Sequence, residues 1–110
     1  MKRLLTILLL LYATTVSAER WVQVSPYSEI DIDYSVSATD PNIRIYKSRA
    51  TDVKIRSVMA MDCKLHLFSI QQSFYFSNNR WYEVPRETLG TWYRNIEDTS
   101  RDHPFNLICR

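Results

Sequence analysis

The sequence predicts an α+β domain, an antiparallel β-sheet of about five or six strands with a C-terminal helix packed on one face. Three observations carry that expectation. Apolar and polar residues alternate with period 2 through most of the chain up to Pro85; clusters of Asn, Asp, Pro and Ser punctuate the alternating runs; and beyond Pro85 the apolar spacing changes to three and four.

Taken in order, Trp21-Val22-Gln23-Val24-Ser25 reads as a strand stopped by Pro26, and 29–36 alternates without a fault, with apolar residues at the even positions. Asp40-Pro41-Asn42 supplies a turn into a third strand, Ile43 to Ser48. From Val53 to Leu67 the odd positions Val53, Ile55, Met59, Met61, Cys63, Leu65 and Leu67 are apolar, too long a run for one ordinary strand. A bend, bulge or hairpin is therefore expected between Ser57 and Lys64. Phe74-Tyr75-Phe76 leads into Ser77-Asn78-Asn79, where asparagine tolerates positive φ and can close a tight hairpin into a strand over 80–84.

Leu89, Trp92, Tyr93 and Ile96 share one helical face, which predicts a helix over 87–98 started near Glu87 or Thr88. A polar loop over 98–102 follows. His103 to Cys109 then reads as a short helix capped by Asp102 with Pro104 in its first turn, a final strand being the alternative. Gly90 is the single glycine, so the turns rest on Asn, Asp, Pro and Ser.

Residues 1–18 read as a signal peptide cleaved after Ala18, leaving one domain over 19–110. Lys2 and Arg3 form a cationic start, Leu4 to Leu11 an apolar run, and Val16-Ser17-Ala18 a small-residue cleavage site. The apolar run falls short of the roughly 20 residues that cross a bilayer. Removing the leader lowers the 14 basic residues to 12, matching the 12 acidic ones, so the apparent charge of +2 belongs to the leader. A balanced domain argues against nucleic acid as a partner and against an anionic membrane surface. The expected location is secreted or periplasmic, with no membrane anchor after cleavage.

In an oxidising compartment, two cysteines 46 positions apart are expected to pair, so a Cys63 to Cys109 disulfide is predicted. The competing arrangement, two thiolates on a metal ion, lacks the matching histidines of a zinc site.

Little else carries chemistry. Glu29, Asp31 and Asp33 lie about 7 Å apart on one strand face, yet lack the turn that wraps ligands around calcium. His66 and His103 are the only imidazoles, neither falls in a catalytic motif, and both read as surface residues. No nucleophile elbow, zinc-protease or nucleotide fingerprint occurs, so neither an enzyme nor a cofactor is expected. Aromatic residues are the richer signal. Most of them belong to the core, but a thin domain cannot bury all of them, and exposed tyrosines suit a protein partner. Tyr46, Phe68, Tyr75 and Tyr82 are the candidate partner-binding residues, being opposite the inferred core face or in an ambiguous register.

The order of these features resembles the bacterial surface-adhesin protein E family. The likeness rests on the early Trp21-Val22-Gln23-Val24 strand, the Ile32 to Val36 strand and the basic aromatic strand from Ile43 to Arg49. Met61-Asp62-Cys63, the segment from Trp81 to Val84-Pro85, and the terminal Cys109 complete it. The resemblance implies a small antiparallel sheet with a helix on one side and bridged cysteines, and a non-catalytic binding module for host or envelope proteins. The family is named for a lipoprotein that binds host matrix and serum proteins. This chain departs from it in having no lipobox cysteine within 15–18 and a longer stretch from Pro85 to Cys109, and no family binding residue transfers to it. The alternative is a periplasmic structural or assembly factor with no adhesive role.

Overall fold

Alternating apolar and polar residues bury one side of a pleated chain, and the described residues of this protein form mainly antiparallel sheet. The computed structural model describes residues 19–94 and 103–110, so the expected signal peptide and the 98–102 loop lie outside them. Eight strands are seen among these residues: β1 (Trp21–Ser25), β2 (Ser28–Asp31), β3 (Ser35–Val36), β4 (Ile43–Ala50), β5 (Ile55–Asp62), β6 (Leu67–Ser77), β7 (Arg80–Glu83) and β8 (Trp92–Arg94). A short helix, α1 (Pro104–Cys109), closes the chain. The α+β class holds, with more strands than the five or six expected.

The sheet runs β1-β2-β4-β5-β6-β7, with β3 also paired to β4 and β8 also paired to β6. Three long strands, β4 to β6, form its middle. The surplus strands arise at its two margins, where short pairs share one long edge: β2 and β3 along β4, β7 and β8 along β6.

The expected single strand over 29–36 is two. Asp31 is buried, and its carboxylate accepts hydrogen bonds from the Arg20 and Asp33 amides, which turns the chain away from β1 after only four residues. The long alternation up to Leu67 divides at a hairpin, one of the expected devices: the chain reverses over 63–66, where Asp62 accepts from the Lys64 and Leu65 amides and His66 adopts φ 57°. The bulge opposite Val58/Met59 places its extra residue, Gln71, in β6 and leaves β5 unbroken. Asn78 and Asn79 close the β6–β7 hairpin at φ 51° and 61°, the paired positive angles of a two-residue turn.

The helix expected over 87–98 is overturned across the described part of that segment. Arg86–Thr88 makes a single 3₁₀ turn, Gly90 takes φ 93° and donates its N–H to the Ile70 carbonyl, and 92–94 pairs with β6. A mid-helix glycine costs about 1 kcal/mol against alanine. Trp92 and Tyr93 suit a pleated surface better, and the bare edge of β6 at Leu67–Ser69 offers ladder partners. Ile96 lies outside the described residues.

Pro104 opens α1 as expected, but His103 caps it. Its Nδ1 accepts the Phe105 amide at 3.2 Å, whereas the expected cap, Asp102, lies outside the described residues. At the other end, Arg44 donates to the Ile108 carbonyl, placing a cation where the helix dipole is negative. Six residues cannot sustain a helix unaided, so α1 depends on the surface beneath it. That surface is Ile30, Tyr46 and Met61, which form the core with Phe105 and Ile108 of the helix; Val24, Met59 and Phe68 pack around it. Burying Ile108 completely is worth about 1.5 to 3 kcal/mol.

The predicted disulfide is present: Cys63, just past the end of β5, bonds Cys109 at the end of α1, with Cα atoms 5.5 Å apart. Among the described residues no helix is long and apolar enough to cross a membrane.

Candidate binding face

In an antiparallel pair, residues directly opposite one another project to the same face. One face carries Ile30, Tyr46, Met59 and Met61 under α1. The other can be read straight across the sheet, where the ladder aligns Glu29, Arg49, Arg56, Phe74 and Glu83 in one row over β2, β4, β5, β6 and β7. The turn over 51–54 fixes the central pair, because a hairpin symmetric about it sets Arg49 against Arg56.

Two like charges directly opposite destabilise a sheet, and here each is relieved by an aromatic ring. The Arg49 guanidinium lies 3.9 Å from the centre of the Trp21 ring, and that of Arg56 lies 4.9 Å from the Trp81 ring. A guanidinium held against a ring by its flat face keeps its edge N–H donors available for a carboxylate. Arg49 uses Nε to bond Glu29 at 2.9 Å. Arg56 makes no ion pair among the described residues.

Lys47 bonds Glu19 at 3.0 Å, and the Trp21 indole N–H donates to the same carboxylate at 2.9 Å. The Lys47 hydrogen bond is the main reason the Glu19 carboxyl sits below its ordinary value, the Trp21 bond the second. These side chains with Phe74 and Trp81 line a groove of about 410 Å³. A second hollow of about 470 Å³ adjoins it through Arg49, Arg56 and Trp81, and there Lys54 sits 4.4 Å from the centre of the Phe76 ring. Chemically this surface offers apolar rings, ammonium and guanidinium donors, and carboxylates around them.

The residues singled out from the sequence fall elsewhere. Tyr46 is corrected most strongly: at 4% exposure it belongs to the core, because β4 pairs it with Met59 on the α1 side and turns Ile43 and Ile45 to the opposite face. Burial pushes its hydroxyl up to about 12. Phe68 is half-buried against the core and lies 5.6 Å from Tyr93, centre to centre. Tyr75 and Tyr82 do meet, stacked with centres 5.4 Å apart at the far end of the α1 side, and Tyr75 is exposed.

Glu29, Asp31 and Asp33 do not act together, since Glu29 bonds Arg49, Asp31 caps two amides and Asp33 bonds Arg20 at 3.1 Å. His66 stacks on Phe105 with centres 4.3 Å apart, and half-buried His103 is the helix cap. Arg49 and Arg56 were missed from the sequence because the turn between their strands carries no glycine or proline. The symmetric placing of Arg49 and Arg56 about 51–54, with Lys47 and Lys54 nearby, was the available signal.

Comparison with family models, with curated proteins and with solved structures finds no match for this chain.

Proposed function

We propose that the protein is an exported, non-catalytic binding module, of the kind its resemblance to surface-adhesin protein E implies, and that it holds a protein partner on the sheet face opposite α1. The observation that carries this reading is the groove in which half-buried Trp21 and Phe74 and exposed Trp81 alternate with Lys47, Arg49 and Arg56. Tryptophan and arginine are the residues most enriched among those that dominate interface energetics. The disulfide fits an oxidising compartment. Histidines engaged in a ring contact and a helix cap also favour binding over catalysis.

The test is capture from envelope and host extracellular fractions on the immobilised protein, repeated with Trp81→Ala on the groove and Tyr75→Ala on the other side. A specific partner lost with Trp81→Ala and kept with Tyr75→Ala supports the reading; equal capture by both variants, or no specific capture, overturns it. Protease treatment of intact cells then separates the two locations. A wholly protected periplasmic pool would remove the adhesive role and favour an assembly factor.

A further inference from the structure

We infer that the groove recognises an extended acidic polypeptide segment, whose carboxylates bind the edges of Arg49 and Arg56 while its apolar side chains lie on Trp21, Phe74 and Trp81. This rests on the binding-module reading and specifies its partner. The register sets Arg49 directly opposite Arg56, with Cβ atoms about 4.5 to 5.5 Å apart, and their guanidiniums rest on Trp21 and Trp81 respectively. A sheet that needs no ligand gains nothing from that repulsion. Among the described residues Arg56 has no carboxylate partner, and Arg49 has one, Glu29. Carboxylates arriving from a partner meet the two cations, and the Trp21 and Trp81 rings hold both side chains in place before they arrive. Pre-ordered forks bind with less loss of side-chain freedom than mobile ones.

The surrounding carboxylates decide between classes of anion. Glu19, Glu29, Asp52 and Glu83 lie in or beside the same hollows or in the same cross-strand row. A nucleic acid or sulfated polysaccharide, charged at every unit, meets repulsion from each of them. A peptide that alternates acidic and apolar residues meets the arginines with its charges and the rings with the rest. From β1, which carries Trp21, to β7 the sheet crosses five inter-strand steps of about 4.8 Å, about 24 Å in all, which an extended chain spans with roughly seven residues.

The experiment is a titration of the purified protein, followed by tryptophan fluorescence and calorimetry, with an eight-residue peptide alternating Glu and Leu and with its Gln and Leu counterpart. The Glu peptide is expected to bind about tenfold more tightly than the Gln peptide, with Arg56→Gln weakening it about tenfold and Arg56→Lys less. Glu29→Gln, which releases Arg49 from its internal partner, is expected to tighten binding severalfold, an effect that loss of folding cannot imitate. Equal binding of the two peptides overturns the proposal. So does an unchanged affinity in Arg56→Gln, or displacement of the peptide by a heparin-type oligosaccharide or single-stranded DNA at matched charge. If a captured partner remains bound to Arg49→Gln/Arg56→Gln, the acidic-segment proposal fails while the binding-module reading stands.

Discussion

Replacing Cys63 and Cys109 together by serine tests how the C-terminal helix is held. The bridge closes a loop of about 47 residues, and loop-closure entropy assigns such a cross-link about 4 kcal/mol of stability through the unfolded chain. Without it the helix keeps two buried side chains, Phe105 and Ile108, the His66 ring against Phe105, the capping bond from His103 and the bond from Arg44 among its contacts. In a domain of this size each kcal/mol moves the melting temperature by about 4 to 8 °C, so the double variant is expected to melt on the order of 20 °C lower. Circular dichroism under non-reducing conditions measures the shift. Amide exchange over 105–109 should rise more than exchange in β5 and β6, because the helix loses a covalent tie that those strands do not need. A variant that melts within about 5 °C of the original, with protection over 105–109 unchanged, would refute the reasoning and leave side-chain packing as the sole anchor.

Three further outcomes follow from the same geometry. Ile108→Ala, which empties a fully buried position between α1 and the sheet, should lower the unfolding free energy by about 2 to 4 kcal/mol in urea titrations; a loss below about 1 kcal/mol would mean the helix is not seated there. Tyr46 has its hydroxyl raised from about 10 to about 12 by burial, so the folded state holds its proton more tightly than the unfolded chain. Its contribution is therefore complete below about pH 10 and falls by about 2 to 3 kcal/mol as pH rises to about 12, a slope that Tyr46→Phe should remove when urea midpoints are compared at about pH 9 and pH 11. Asn79→Val places a branched side chain at φ 61° and should destabilise the β6–β7 hairpin by about 1 to 2 kcal/mol, whereas Asn79→Gly should not, as thermal melts of the pair would register.

Much of this architecture was legible in the sequence, for physical reasons that also explain what was not. Strands β1, β4 and β7 and the Asn78-Asn79 turn follow from alternation and from asparagine's tolerance of positive φ, and the disulfide from two cysteines in a chain that reads as exported. The helix expected over 87–98 failed because periods of three and four in Leu89, Trp92 and Tyr93 are equally compatible with a turn at Gly90 followed by an edge strand, and the edge that decides it belongs to β6, 23 to 27 residues away. Tyr46 was assigned to the wrong face because Ile43 and Ile45 looked like the core side of β4. Both faces of that strand are partly covered, and only the pairing of Tyr46 with Met59 shows which one α1 fills. The groove was missed for the same reason: single residues on β1, β4, β5, β6 and β7 meet only through register, and register is a property of turns more than of the strands themselves.

The central claim, that the sheet presents its Arg49–Arg56 face to a protein segment, is tested most directly by nuclear magnetic resonance during titration with the alternating Glu and Leu peptide. The side-chain N–H signals of Trp21 and Trp81 and of Arg49 and Arg56 should shift together with one affinity, while amides of α1 and the Tyr75–Tyr82 side remain in place. Shifts confined to the α1 side, or scattered without saturation, would contradict it.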